Sequence, residues 1–287
     1  MTPSAVSTRA WARTLSTTGP GTVVVVAVFG VLAVVLIGYS LSADPSGRPF
    51  TGFGLQTWSS VLGDGYTLTS LWNSVVLALY ASVLTLVPAA AVAVALWRVQ
   101  SPVATALWIA ALVAPTLVAV VIRAHGWLLI LGTGGPLGGA FSDWLYHRPA
   151  VLLAQVHTLL PFAVIPIYIA LRRIPPNVYD AARDLGAGPV TLGLDIVTPL
   201  AIRGAFSAAQ LVFAMAVSSF AVPALLGGGR LNLLPQAIYQ SIQTLSWPAA
   251  AAQALILLFT TLVVMAVLRA TASLTQRLLS DGDSGAH

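Results

Sequence analysis

The stretch Tyr179–Pro199, YDAARDLGAGPVTLGLDIVTP, is charged and rich in glycine, whereas the sequence on either side of it is strongly apolar. Two prolines end the segment before it. Asn177 is a good helix N-cap, and Asp180 three residues later completes a pattern like a capping box. The sequence therefore predicts a short helix over Val178–Leu185.

The residues GAGP at Gly186–Pro189 are expected to break that short helix. Pro189 suits the first position of a second helix. The second helix is expected to run to about Val197. Ala182 and Gly186 are four residues apart, so they share a helix face and leave it nearly bare. A bare face lets another backbone or a helix tip approach closely, so the stretch is interpreted as a helix–turn–helix docking element.

The composition around this element predicts an all-α integral membrane protein. Of 287 residues, 57% are hydrophobic and 7% are charged, whereas a soluble domain carries about 25% charged residues. The chain has no lysine, glutamate or cysteine, which excludes disulfides and thiolate sites. The net charge of +5 comes from arginine; in a membrane protein it is a topology signal and does not indicate nucleic-acid binding.

Six apolar stretches are long enough to span a bilayer, at roughly 20 residues each. They are Gly21–Leu41, Leu71–Trp97, Val103–Ile122, Ala150–Leu171, Ala201–Leu226 and Pro248–Leu268. The first is longer than the apolar core of a signal peptide and is interpreted as a retained helix. The expected division is a tail over 1–20, a six-helix domain over 21–270 and a second tail over 271–287.

Arginine sets the expected orientation. With the N-terminus inside, nine arginines lie on the cytoplasmic side and four outside, which agrees with the positive-inside rule. Both termini and the docking element are then cytoplasmic. The outer loops are expected at Ala43–Ser70, Arg123–Pro149 and Gly227–Trp247.

No pattern in the chain predicts catalysis or a metal site. Without lysine there is no P-loop, and the four histidines lack ligand-like spacing. An intramembrane enzyme is therefore disfavoured, and an ion-driven carrier would need intramembrane ionisable residues that are scarce here. Four polar residues in the spans are candidates either for interhelical hydrogen bonds or for a translocation path: Gln155, His157, Ser218 and Ser219.

The spacing in the docking element resembles the EAA loop of ABC importer permeases. That loop has E-A-A, a glycine four residues after the second alanine, nine residues, and then I-x-L-P. Here Asp180 replaces the glutamate and Thr198 the leucine. Val156–Ala187 and Val121–Gly139 are similar to the spermidine/putrescine branch of the same family, as is Trp247-Pro248 with the alanines after it.

This resemblance implies a type I permease fold with six transmembrane helices in a bacterial cell membrane. It implies a transport subunit that is not an enzyme and binds no cofactor, with ATP and Mg²⁺ held by separate ATPase subunits. A second, related or identical permease and an extracytoplasmic solute-binding protein are the other expected partners. Polyamines are the expected cargo, and an aminoalkylphosphonate, thiamine or ferric iron are the alternatives.

The resemblance also assigns roles to residues. Within the loop 172–200, the ATPase-coupling residues would be Asp180, Ala181, Ala182, Arg183, Gly186, Ala187, Gly188, Pro189, Ile196 and Pro199. The expected outer gate or binding-protein contacts are Arg123, Trp127, Asp143, Gly228 and Arg230. No aspartate lies in any predicted span, so a polycation would have to cross without a carboxylate from this chain.

Overall fold

The computed structural model describes residues 4–43, 52–174, 184, 186, 188, 191 and 198–284. Within these ranges the protein is helical, and the described residues contain no strand beyond an isolated bridge between Ser42 and Phe53. The helices are α1 Ser4–Ser40, α2 Gln56–Gly63, α3 Gly65–Arg98, α4 Pro102–Val113, α5 Val120–Leu131, α6 Gly138–Phe141, α7 Arg148–Arg172, α8 Thr198–Val217, α9 Ala221–Leu226, α10 Leu234–Gln243 and α11 Trp247–Ser284. The all-α prediction is confirmed.

Four of the predicted spans are confirmed as long apolar helices. They are Gly21–Ser40 within α1, all of α3, all of α7, and Trp247–Ser273 within α11. Each is 20 to 34 residues long, which is enough to cross a hydrocarbon core about 30 Å thick. The number of consecutive apolar residues depends only on the local sequence, so these spans can be predicted before the fold is known.

The predicted span Val103–Ile122 is a sharply bent pair of helices. The chain forms α4, a 3₁₀ turn at Ala114–Leu117, and then α5, and the two halves meet at an angle of 93°. The bend lies at Val118 and Ala119, where the backbone is extended. Pro115 lies in the 3₁₀ turn just before it and removes one backbone donor there. The bent pair can count as a fifth span, and it extends to Leu131.

The predicted span Ala201–Leu226 is also divided. α8 ends at Val217 and α9 begins at Ala221. Pro223 cannot donate to the carbonyl of Ser219 and its ring would clash there, so a continuous helix is blocked. The hydroxyl of Ser218 donates to the carbonyls of Ala214 at 2.9 Å and Met215 at 3.3 Å, which occupies acceptors of the last turn.

The chain divides into two compact units. One comprises Met1–Gly65 and Ile238–Ile256, and the other comprises Tyr66–Ala237 and Leu257–His287. In the first unit, the rings of Tyr39 and Trp247 lie 6.4 Å apart, and the Ser241 hydroxyl donates to Oε1 of Gln253 at 3.0 Å.

The second unit holds the core, which is built from small residues. Ala81, Ala89, Ala163 and Ala208 are completely buried, and the same cluster contains Phe213 as a fully buried aromatic side chain. Small side chains let helix backbones approach closely, which is how helices associate when lipid is as apolar as the protein. This packing brings α7 and α8 together and places the helix breaks beside α7.

A candidate translocation site at the helix breaks

A cavity of about 300 Å³ lies where α5 begins and where α8 gives way to α9, against the side of α7. Discontinuous helices of this kind line polar cavities in transporters, because unwound backbone is tolerated at membrane depth only where it borders protein or water. The lining residues are Val120, Gln155, Thr158, Leu159, Met215, Ser219, Phe220, Ala221 and Val222. The cavity is thus mostly apolar, with a few polar groups.

Gln155 is the most deeply buried polar residue of this lining. Its side chain is 2% exposed, and neither amide atom, Nε2 or Oε1, has a hydrogen-bond partner among the described residues. An unsatisfied buried polar group costs about 1–3 kcal/mol. Neither atom is accessible to a water molecule, so the amide lies behind the cavity wall and not at its surface.

The four residues predicted for a translocation path do not all share one surface. Gln155 and Ser219 line the same cavity. Ser218 lies beside it in the break and bonds back to α8. His157 points elsewhere: its ring is exposed, and it lies edge-on to Trp127 with ring centroids 5.7 Å apart.

Arg123 and Trp127 were predicted at the start of an outer loop; they are helical, and their position on the outer side stays a prediction. Both lie in α5, because the helix resumes after the bend and runs on to Leu131. Nε and Nη1 of Arg123 are buried and have no hydrogen-bond partner in the described part of the chain. Arg123 is one helical turn from Val120 on α5, yet it does not appear in the cavity lining.

The other predicted outer residues lie in turns. Asp143 is exposed in a 3₁₀ turn at Ser142–Trp144, and Gly228 and Arg230 are exposed after α9. Gly228 has a φ of +54° and lies against the ring of Tyr146. Whether these residues meet a binding protein stays a prediction.

A group of hydrogen bonds between α3, the start of α7 and the segment before α10 was not predicted from the sequence. The Arg148 guanidinium donates to Oδ1 of Asn73 at 3.2 Å, and Nδ2 of Asn73 donates to the carbonyl of Asn232 at 3.2 Å. The hydroxyl oxygen of Ser74 accepts from the Leu234 N–H at 2.8 Å. The sequence signal was the adjacent polar pair Asn73-Ser74 in α3, whose partners are 75 to 160 residues away.

Most of the predicted coupling element lies outside the described residues: Asp180, Ala181, Ala182, Arg183, Ala187, Pro189 and Ile196. Asp184, Gly186, Gly188 and Thr191 are described and exposed. Gly186 has a φ of +86°, a conformation that favours glycine. Pro199 is the second residue of α8. The coupling role of all these residues stays a prediction.

The family model for "Binding-protein-dependent transport system inner membrane component" matches residues 76–277. The chain belongs to this family. It is therefore a permease subunit of a binding-protein-dependent ABC importer and a multi-pass protein of the bacterial inner membrane. The family is a transport component rather than an enzyme.

The chain is similar to curated spermidine/putrescine permeases. It is 32% identical to the spermidine/putrescine transport system permease protein PotB of Escherichia coli (strain K12) over 147 residues, or 47% of this chain and 53% of the relative. It is 24% identical to PotC of the same strain over 235 residues, or 81% of this chain and 84% of the relative. The chain thus spans about half the length of its PotB relatives.

Solved structures confirm the permease fold. A chain in the crystal structure of a bacterial alginate ABC transporter, in complex with alginate pentasaccharide-bound periplasmic protein, matches with a TM-score of 0.74. The match covers 94% of this chain and 96% of that chain at 14% identity. At this identity the likeness shows the fold alone.

Proposed function

We propose that the chain carries a polyamine, spermidine or putrescine, across the membrane by alternating access driven by ATP. The observation that carries the proposal is the cavity at the two helix breaks, which is lined by Gln155, Thr158 and Ser219 among apolar side chains. A glutamine that only holds a bundle together bonds to a neighbouring helix, and the Gln155 amide has no such bond among the described residues. The relatives named for spermidine and putrescine supply the solute class.

The energy is proposed to come from partner subunits. This chain has no lysine for a P-loop, so ATP and Mg²⁺ would bind to separate ATPase subunits. The loop 172–200 would be the coupling element seated on them. It is flanked by α7, which ends at Arg172, and α8, which begins at Thr198, so a shift of the loop would move helices that border the cavity.

Alternating access requires two ligands with different preferences. A loaded binding protein on the outer face and ATP on the inner face must each favour a different state, since a ligand shifts an equilibrium only by its differential affinity. A second permease, related or identical, would complete the pathway. These partners are the ones that the family implies.

The test is uptake of labelled spermidine and putrescine, at low external concentration, in cells with and without the gene. We expect loss on deletion, restoration by the wild-type chain and no restoration by Gly186→Asp or Ala182→Asp, with all three proteins present in the membrane at similar levels. Normal uptake by those two variants would contradict the coupling role.

Other outcomes of the same experiment separate the alternatives. Unchanged polyamine uptake on deletion would move the assignment to an aminoalkylphosphonate, thiamine or ferric iron. Uptake that survives loss of the ATPase partner would favour an ion-driven carrier.

A further inference from the structure

We propose that a groove between α3, α7 and α8 binds one anionic phospholipid, with an acyl chain in the groove and the phosphate at the arginines that end α3 and α7. The groove and these arginines lie within the second unit. The inference goes beyond the proposed function, because it does not depend on which solute the importer carries.

The groove has a volume of about 330 Å³, and all nine of its lining residues are apolar. It opens on the outside of the bundle, where Val87 of α3 is 70% exposed. Space is left there because α3 and α8 present alanines, namely Ala90, Ala201 and Ala205, where larger side chains would fill the gap. The groove therefore offers an apolar surface that the described residues leave open.

The shape and polarity of the groove suit an acyl chain. Water gains nothing there, since a site lined only by apolar groups stays dry. An empty groove would cost its lining atoms their dispersion contacts. A helix, about 10–12 Å across with its side chains, is too wide to enter, whereas an acyl chain is thin and flexible. In a bilayer the groove is thus filled by lipid.

Arg98 lies where the α3 side of the groove ends. Ala90 and Val94 line the groove and are four residues apart, and Arg98 is four residues further on, so all three share one face of α3. The Cα–Cβ bonds of a helix tilt toward its N-terminus, which for Arg98 is the direction of Val94. Arg98 is exposed, so a positive charge is available at this end of the groove.

Two more arginines end α7. Leu171 lines the groove, and Arg172 and Arg173 follow it and are exposed. Among the described residues none of the three arginines has an ion-pair partner. α3 and α7 end on the predicted cytoplasmic side, where each arginine near the membrane surface strengthens binding to anionic lipid about fivefold. Charge complementarity therefore selects an anionic phospholipid headgroup.

The experiment is native mass spectrometry of the purified full chain in detergent, titrated with phosphatidylglycerol or with phosphatidylcholine that carries the same acyl chains. We expect the wild-type chain to bind phosphatidylglycerol at least about tenfold more tightly, because three arginines face one phosphate. Arg98→Gln should weaken phosphatidylglycerol binding about fivefold, and Arg172→Gln combined with Arg173→Gln should weaken it further. Ala90→Phe should weaken binding of both lipids, because the ring occupies the groove.

Matched controls come from the same unit. Ala91 is exposed and adjacent to Ala90 but does not line the groove, so Ala91→Phe should bind both lipids like the wild type. Arg230 is exposed after α9 and remote from the groove in the chain, so Arg230→Gln should do the same. Equal affinity of the wild type for the two lipids, or wild-type binding by both Ala90→Phe and Arg98→Gln, would overturn the proposal.

A second measurement tests the occupant in the membrane. The chain has no cysteine, so Ala90→Cys can carry a single photoreactive benzophenone in cells. Cross-linking to phospholipid without a cross-linked polypeptide agrees with the lipid site. Capture of a second permease polypeptide would overturn it, because a protein would then cover the groove. Neither result depends on polyamine uptake.

Discussion

Replacing Gly204 with alanine should force apart the two helices that flank the coupling loop. Gly204 lies in α8, facing α7. A Cβ at this position would lie 2.5 Å from Cβ of Ala170, 2.8 Å from the carbonyl oxygen of Pro166 and 3.1 Å from Cα of Ile167. Ordinary contact between non-bonded carbons is about 3.5–4.0 Å. None of the three atoms is the far end of a flexible side chain, so the helices must move by about 1 Å.

The cost follows from that movement. A gap of 0.5–1 Å forfeits roughly a quarter to a half of each dispersion contact along the interface, where Ile167, Leu171, Ala208 and Val212 are buried. Overpacking of this kind costs about 1–3 kcal/mol. In a chain of this size each kcal/mol corresponds to a shift of roughly 2–4 °C in Tm.

The assay is thermal unfolding of the purified chain in detergent, followed by tryptophan fluorescence, for wild type, Gly204→Ala and Gly126→Ala. Gly126 is the control because it lies in α5 and its Cβ would meet nothing within 4 Å, so alanine gains about 1 kcal/mol of helix propensity there. We expect Gly204→Ala to unfold below wild type and Gly126→Ala at or above it. Equal melting temperatures for the two variants would refute the reasoning.

Two further predictions concern a buried hydrogen bond and a glycine turn in the second unit. Ser74→Ala leaves the buried N–H of Leu234 without its acceptor, so the free energy of unfolding should fall by about 1–3 kcal/mol; a Tm equal to wild type would contradict this. Gly228 and Gly229 both have positive φ, at +54° and +74°, and alanine at either costs roughly 1–2 kcal/mol. Only Gly228 also meets the base of the Tyr146 ring, so Gly228→Ala should lower Tm more than Gly229→Ala, and the reverse order in the same melting assay would count against the contact.

The candidate site was only partly predictable. Gln155 and Ser219 were selected as polar residues in apolar spans, and the structure brings them to one cavity. His157 was selected on the same grounds and lies on another surface, beside Trp127. The rule that polar residues in spans are functional identifies candidates, but it does not say which helix face each one occupies in the folded bundle.

The sequence by itself determined that this protein is an all-α membrane protein of the importer-permease family. Apolar length is read residue by residue, and the spacing from Asp180 to Pro199 is a one-dimensional pattern, so neither depends on the fold. Only the tertiary structure decided the 93° bend between α4 and α5 and the break between α8 and α9. Pro115 and Pro223 were visible in the sequence, but a proline in a span can kink the helix or end it. The outcome depends on whether neighbouring groups satisfy the freed carbonyls, and those neighbours are brought together only by folding.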